Sequence, residues 1–395
     1  MARKVSICID GVPFRTIIDL QKQGYFQEFK APNRVISAYP SLTRPNHSVF
    51  HNYKKPKCYE SIGFQKRKNL PYYIIIDKDF RKKKTFESLY TTVGKTRDKI
   101  RAFTKSYFSP NHKKLFKKLE AQLERYILGN YSNNIWVITY DQITHRYGTE
   151  RTKRELKSLS KLFSRIIHEH PELEISLWSD HGAINCTHFI DLKRKFKDYG
   201  FSVHNRLWKE KSVILSAPGI TNFIPLFHTP SYSKEIHAIL DKIDEISFFV
   251  YHEKEDIIVR KNKLTARITK RENKFKYEVL TGDPLNYSEI INNLEKDQNG
   301  FISNDLLFMN TTNHKYPDAL HRIYNAFRIV ENPGDVLIDL EEGFFFGKKI
   351  FRKGGKGTHG SLSNNCSECF YMDLNQERDT SKVLRIEEVS EHFNV

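Results

Sequence analysis

The segment Ile135-Trp136-Val137-Ile138-Thr139-Tyr140-Asp141 is an apolar, β-branched run that stops on an acidic residue. A short run of this composition reads as a buried strand. Two other segments end the same way: Val5 to Ile9 stops on Asp10, and Leu173 to Trp178 leads to Asp180-His181-Gly182. Tyr72 to Ile76, ending at Asp77, is a further strand candidate. Helical patterns lie between them. Ile17, Ile18 and Leu20 mark one, and the charged stretch from Phe86 to Leu128, broken near Pro110, reads as mostly helical. Leu156, Leu159, Leu162, Phe163 and Ile166 fall on one face of a helix over Glu155 to Ile167, and another helix is expected over Phe189 to Tyr199. Strands that alternate with helices predict an α/β fold around a mostly parallel sheet. Ligands in such sheets bind beyond the carboxyl ends of the strands, which is where Asp10, Asp141 and Asp180 stand.

After short strand-like pieces near Ser202 and Val213, the texture changes at about Ser216. A helix is expected over Ile236 to Ile243. Phe248–Tyr251, Ile257–Arg260, Ala266–Thr269 and Phe275–Val279 then read as a meander. Asp335 to Leu340 is a late strand, and the glycine-rich loop Gly354 to Gly357 leads into Thr358-His359-Gly360. No internal repeat is present. Candidate ligands run from position 10 to position 359, so the sequence predicts one catalytic domain over 1–395. The inserts 51–134 and 216–330 are expected to shape specificity.

Composition narrows the class. A chain of 395 residues, 39% hydrophobic, can bury a full core. No stretch is apolar for long enough to cross a bilayer. The apolar piece of the N-terminus is too short for a signal-peptide core and runs into Asp10-Gly11, so it reads as a strand. Five scattered cysteines make no disulfide framework, and a cytoplasmic location is the expectation. The formal net charge of +18 fits an anionic partner: a small phosphate ester, or nucleic acid. It equally fits a lysine-rich composition. The basic runs Lys54-Lys55-Pro56-Lys57, Arg81-Lys82-Lys83-Lys84 and Lys113-Lys114 with Lys117-Lys118 either steer such a substrate or are solvated faces.

Taken singly, the reactive residues have plain structural readings. An aspartate often ends a strand. Thr43, in Ser41-Leu42-Thr43-Arg44-Pro45-Asn46-His47, has the position of a helix cap. A loop histidine such as His359 is commonly solvated. Asp141 and His145 stand four apart, on one side of a helical turn. Taken together, three aspartates, three histidines and one hydroxyl supply ligands of the type that suits zinc, with manganese or iron as alternatives. Six such ligands divide into two sites of three, and a metal pair about 4 Å apart clamps both oxygens of an in-line phosphoryl displacement.

At these residues the chain resembles the alkaline phosphatase superfamily, in its type I phosphodiesterase and nucleotide pyrophosphatase branch. The resemblance rests on Ile9-Asp10-Gly11, Tyr39 to His47, Asp141 to Gly148, Ser179 to Gly182 and Gly357 to Ser361, in that order. Gly282-Asp283-Pro284-Leu285 is similar to a segment of bacterial members. The resemblance implies an alkaline-phosphatase-like core with inserted cap segments. It implies one zinc held by Asp141, His145 and His359 and a second by Asp10, Asp180 and His181, with Thr43 as nucleophile and ligand. A phosphothreonine intermediate follows, and Arg44 and Asn46 become candidate substrate contacts.

The chain also departs from the pattern. Arg44 replaces an aromatic residue typical of the eukaryotic branch; its guanidinium either binds a phosphate oxygen or forms a salt bridge. The stretch Cys58 to Phe64 offers no counterpart to a phosphate-touching asparagine. Thr43 cannot become the aldehyde nucleophile of a sulfatase. A phosphomonoesterase or phosphotransferase on the same scaffold remains an alternative. So does a basic nucleic-acid-binding protein with a vestigial metal site. Cys366 and Cys369 form a lone C-x-x-C that poses the question of a disulfide. His47 reads as a packing residue, and His168 and His170 as complements to a helix C-terminus.

Overall fold

The computed structural model describes residues 3–73, 89–93, 112–129, 131–208, 210–217, 219–347, 354–375 and 379–390. Its organising element is β1 (Arg3–Ile9), buried from Val5 onward. The other strands of its sheet are β2 (Asn33–Ile36), β3 (Thr91–Val93), β4 (Asn134–Val137), β5 (Leu173–Trp178), β6 (Glu368–Asp373) and β7 (Leu384–Arg385). Among the described residues the spatial order is β7-β2-β6-β5-β1-β4-β3. β1 pairs in parallel with β4 and β5, β3 with β4, and β2 with β7. Only β6 runs against its neighbours. The mostly parallel sheet read from the sequence is therefore present. Its register puts Ile9 beside Val137 and Cys8 beside Trp178. The chain leaving β1, β4 and β5 thus emerges at one edge, and the site is built there.

Among the described residues the α-helices up to residue 169 are α1 (Phe14–Lys22), α2 (Thr43–Phe50), α3 (His112–Leu128), α4 (Thr139–Tyr147) and α5 (Thr149–Glu169). Leu156, Leu159, Leu162, Phe163 and Ile166 of α5 pack with Ile7, Ile9, Leu20, Ile135 and Leu177 in one buried cluster. Each such side chain contributes about 1.5–3 kcal/mol when fully buried, which fixes α5 against the sheet.

Four readings of local structure need correction. β4 stops at Val137, and Thr139 and Tyr140 are already helical. Asp141 therefore stands in the first turn of α4, where a carboxylate complements the helix dipole. Thr91–Val93 is a strand and not part of a helix: three β-branched residues pair with the edge of β4. Leu70–Tyr73 pairs antiparallel with Ile62–Gln65, outside the main sheet, and the expected continuation to Asp77 lies outside the described residues. The helix expected over Phe189 to Tyr199 spans only Leu192–Asp198, because Asp191 caps it by accepting from the Arg194 N–H at 3.1 Å. Of the basic runs, Lys54, Lys55, Lys117 and Lys118 are exposed, and Arg81 to Lys84 lie outside the described residues.

A second sheet has nine strands among the described residues, ordered 202–203, 212–215, 223–228, 336–340, 246–253, 256–261, 264–271, 274–279, 302–303. All pairs but the first are antiparallel. The meander is present, and the late strand Val336–Leu340 is inserted between it and Phe223–His228. Phe223, Phe248, Val259, Ile268 and Leu337 anchor its core, which also takes in Tyr39 and Leu42 from the segment preceding α2. No helix among the described residues is long and apolar enough to cross a membrane.

Candidate metal centre

Asp10 and Asp180 each have one carboxylate oxygen held by an outside donor and one turned to the same place, and Asp141 turns both there. Asp10 follows β1; its Oδ2 accepts from the Trp136 Nε1–H at 2.8 Å, and its Oδ1 faces His181 Nε2 at 3.5 Å. Asp180 follows β5; its Oδ1 accepts from the Gly11 N–H at 3.2 Å, and its Oδ2 faces His181 Nε2 at 3.4 Å. Asp141 places Oδ2 3.3 Å from His145 Nε2 and Oδ1 3.4 Å from His359 Nε2.

The three histidines share one design. Their Nδ1 atoms lie 2.9 Å from Gly357 O for His145, 2.9 Å from Gly182 O for His181 and 3.0 Å from Ser41 O for His359. A carbonyl only accepts, so each Nδ1 carries the hydrogen and donates it. Each Nε2 then presents a lone pair. Those lone pairs converge: Nε2 of His145 and of His359 are 3.1 Å apart, and the rings of His181 and His359 stack at 4.0 Å. Asp10 Oδ1, Asp141 Oδ1 and Asp180 Oδ2 are buried and accept no hydrogen bond of normal geometry. Buried carboxylate oxygens without donors are costly unless a cation joins them. Carboxylates and anchored imidazoles with bare atoms facing inward fit divalent metal ions of the nitrogen- and oxygen-binding kind.

The ligand atoms of Asp141, His145 and His359 lie within 4.8 Å of one another, as do those of Asp10, Asp141 and His181. Asp141 thus stands between the two groups, where the sequence reading gave it to one. Asp180 also falls in a third group with Cys8 and His47.

The electrostatics agree with a crowded acidic centre. Burial, reinforced by Asp180 and Asp141, holds the Asp10 carboxyl well above the ordinary carboxylate range. Burial alone would raise Asp141 and Asp180 too. His145 and His359 outweigh it at Asp141, and His181 and His47 at Asp180, so both are held below their ordinary value. Burial and then His181 push His359 down to about 3, which keeps its Nε2 unprotonated at neutral pH.

Thr43 is the first residue of α2. Leu42 is the cap, and no side chain completes it, so the expected capping role of Thr43 is not the one it has. Thr43 Oγ1 lies 3.2 Å from His181 Nε2 and donates to that lone pair. Pro45 sits in the first turn, where a missing N–H removes no helical hydrogen bond. The α2 N-terminus directs its opening amides to the space beside Thr43.

Arg44 is buried, with the Glu60 carboxyl as a charge partner. Glu60 was not singled out in the sequence; it occupies the stretch where an asparagine was sought. It is half-buried, and burial pushes it up to about 7 despite Arg44. Asp141, His145 and His181 act on its charge as well. Asn46 has a different task from the substrate contact expected of it. Its Oδ1 accepts from the Ala38 N–H at 2.7 Å, and its Nδ2 donates to Leu42 O at 2.8 Å. Fully buried, it braces the loop before Thr43. Cys366 and Cys369 are both buried and free; the Cys366 sulfur receives the Asn222 amide at 3.5 Å, and the Cys369 thiol points to Val35 O at 3.6 Å.

Two glycines permit the approach of these parts. Gly11 has φ +69°, and a Cβ there would stand 3.0 Å from Asp141 Oδ1. At Gly357 a Cβ would collide with the Thr144 carbonyl. Two buried residues missed in the sequence hold the loops. Arg322 donates to Ser41 Oγ at 3.2 Å and Leu362 O at 3.1 Å. Asp339 accepts from Ser361 Oγ and the Leu362 N–H, both at 2.7 Å.

No protein-family profile and no curated protein matches the sequence. Solved structures do match over nearly the full length. Murine ectonucleotide pyrophosphatase/phosphodiesterase 5 has a TM-score of 0.53 at 10% identity, covering 99% of this chain and 93% of its own. Phosphonoacetate hydrolase from Sinorhizobium meliloti, in complex with phosphonoacetate, has a TM-score of 0.55 at 12% identity, covering 99% and 95%. An inactive threonine-to-alanine form of the murine protein, in complex with AMP, has a TM-score of 0.52 at 9% identity, covering 100% and 95%. The chain therefore shares the fold of these structures.

Proposed function

We propose that the protein is a metal-dependent hydrolase of phosphate esters in which Thr43 is the nucleophile. The observation that carries the reading is the position of the Thr43 hydroxyl, 3.2 Å from His181 Nε2, within a ring of anchored carboxylates and imidazoles. Asp141, His145 and His359 would hold one metal and Asp10, Asp180 and His181 the other, with Asp141 within reach of both. Zinc is the first choice, with manganese or iron as alternatives. When bound, the metals supply Lewis-acid charge at the attacking and leaving oxygens.

The chain's own residues do the rest. Thr43 Oγ loses its proton to water and bonds to phosphorus, while the ester oxygen leaves from the opposite side and takes up a proton from water. The amides at the start of α2 receive the non-bridging oxygens. Water then attacks the phosphothreonine, releasing phosphate or a monoester and restoring the hydroxyl.

The substrate class is a phosphodiester or pyrophosphate of nucleotide-like shape. The solved murine relative in complex with AMP supports it. The pairing of Arg44 with Glu60 supports it as well. A monoester carries one more negative charge than a diester, and a guanidinium already opposed by a carboxylate offers less to that charge. The phosphomonoesterase reading predicts the reverse preference. Five free, buried cysteines fit a reducing, cytoplasmic setting. The single catalytic domain over 1–395, with specificity shaped by 51–134 and 216–330, belongs to the same reading.

The test is direct. Protein loaded with zinc should cleave an activated aryl phosphodiester faster than the matching monoester, and Thr43→Ala should abolish turnover. Unchanged turnover in the variant removes the nucleophile assigned here, and a monoester preference of several orders of magnitude reverses the substrate class.

A further inference from the structure

His47 is used by no step above, yet it is wholly buried against the centre. Its ring sits between Trp136 and Trp178, with centroids 5.0 and 5.3 Å away, so its orientation is fixed. Its Nε2 lies 3.4 Å from Asp180 Oδ2, and its Nδ1 lies 2.9 Å from the Tyr90 hydroxyl. The Tyr90 hydroxyl is in turn in contact with His51 Nε2. Four polar groups therefore form a continuous buried chain that ends on a carboxylate of the metal centre.

The direction of the chain follows from chemistry. Burial holds the Tyr90 phenol well above its ordinary range and pushes His51 down to about 3, so both are neutral at pH 7. A neutral phenol offers one hydrogen. If it went to His51, His47 would donate from Nδ1 and set its Nε2 lone pair against Asp180. A carboxylate oxygen accepts and does not donate, so that arrangement sets two lone pairs face to face 3.4 Å apart. The opposite polarity satisfies every group. His51 donates Nε2–H to the Tyr90 oxygen, Tyr90 donates O–H to His47 Nδ1, and His47 turns Nε2–H toward Asp180 Oδ2. Cys8 Sγ lies 3.6 Å from the same Nε2; sulfur is a weak donor and a weak acceptor, so the carboxylate sets the preference. The contact to Oδ2 is longer than a normal hydrogen bond. A carboxylate oxygen has two lone pairs, so Oδ2 can face His47 and still ligate.

We propose that His51, Tyr90 and His47 form a one-way hydrogen-bonded relay that positions Asp180 as a metal ligand, a role that rests on the metal-centre reading above. His47 is a positioning residue: it acts on Asp180 and touches no substrate. Gly11 N–H holds Oδ1 of the same carboxylate, while His47 Nε2 faces Oδ2 from the other side. Outer partners of this kind change metal affinity by about 10- to 100-fold when removed.

The experiment uses the full-length chain, stripped of metal and titrated with zinc against a chromophoric chelator. The variants are Tyr90→Phe, His47→Leu and His47→Gln. Tyr90→Phe keeps the ring and removes only the hydroxyl. His47→Gln keeps an N–H at the Nε2 position. Wild type should bind two zinc ions per chain. Tyr90→Phe and His47→Leu should weaken one of the two by roughly 10-fold or more and leave the other unchanged, while His47→Gln stays within a few-fold of wild type. Nitrogen NMR of the metal-free protein gives an independent reading: His47 should be the Nε2–H tautomer in wild type and a mixture in Tyr90→Phe. Wild-type zinc affinity at both sites in Tyr90→Phe and His47→Leu overturns the relay. So does an equal loss in His47→Gln and His47→Leu, which would mean that ring packing and not the donor matters. A wild-type chain that binds no zinc at all instead removes the metal-centre reading beneath it.

Discussion

Asp10→Asn should make the metal-free protein more stable and the metal-loaded protein less responsive to its metal. Asp10 is fully buried, and its Oδ1 accepts no hydrogen bond. In the variant the amide oxygen still accepts from Trp136 Nε1, while the amide nitrogen takes the place of Oδ1 and shares the His181 Nε2 lone pair, 3.5 Å away, with the Thr43 hydroxyl. An unsatisfied buried acceptor costs about 1–3 kcal/mol, and the substitution relieves it. For 395 residues, an unfolding entropy of about 2.1 cal/mol/K per residue means that about 1 kcal/mol moves Tm by about 1.2 °C. The metal-free variant should therefore melt about 1–4 °C above wild type. A metal held at about 100 times its Kd adds about 2.7 kcal/mol per site, or about 3 °C. Wild type should gain about 6 °C from two sites, and the variant only about half of that. The assay is thermal melting at pH 8 with chelator and with excess zinc. A metal-free variant that melts below wild type, or an equal zinc shift in both proteins, would refute the assignment of Asp10 to a metal.

Three further outcomes follow from the same geometry. Gly11→Ala puts a Cβ 3.0 Å from Asp141 Oδ1 in a backbone conformation with φ +69°. A displaced ligand of this kind should lower kcat with zinc by roughly 100-fold, measured on the aryl diester. Glu60 is pushed up to about 7 by burial, so it is mostly neutral at pH 6 and ionised at pH 8. Its charge then opposes an anionic substrate, and KM should rise roughly fivefold across that range, about 1 kcal/mol of repulsion, while Glu60→Gln shows no such rise. Asp339 is raised by burial to about 7 in the folded chain. Against about 4 unfolded, its stabilising contribution is full below about pH 4 and is lost as pH rises through about 7, on the order of 4 kcal/mol in all. Urea unfolding of Asp339→Asn between pH 5 and 8 should be flatter with pH than wild type; an equal slope counts against it.

The residues gathered at the sheet edge were legible because each follows a short apolar run or sits in a compact motif, and both signals are local. Asp10 and Asp180 needed only the strand before them. Asp141 was misread by one element, because Ile138 and Thr139 continue the β-branched texture of Ile135 to Val137 past the point where the helix begins. What completes the site is not local. The carbonyls of Ser41 and Gly357 that fix the imidazoles of His359 and His145 carry no sequence signal at all. Glu60 is a charged loop residue until folding sets Arg44 and Asp141 against it. The second sheet was half visible. Its meander pairs neighbours in sequence, but Val336–Leu340 pairs with Phe223–His228 across more than a hundred residues, and only the folded chain reveals that.

That distant pairing bears on what the region 216–330 is for. The sheet edge supplies Asp10, Asp141 and Asp180, but Thr43 and His359 lie on loops that the parallel sheet alone does not fix. Arg322, within that region, is buried and spends its guanidinium on Pro317 O, Leu362 O, Ala38 O, Ser41 Oγ and Ser367 Oγ. A buried cation is tolerable only when such partners surround it, so the loops of Thr43 and His359 are locked to it and to each other. Asn222 adds its amide oxygen to the Ser361 N–H at 2.8 Å, and Thr221 donates Oγ1–H to His359 O at 3.2 Å. Asp339, on the strand between Phe223–His228 and the meander, completes the same loop. The second sheet therefore does more than line a pocket: it sets where Thr43 and His359 stand relative to the three aspartates. Changes in 216–330 that alter specificity are compatible with turnover only if they leave Thr221, Asn222 and Arg322 in place.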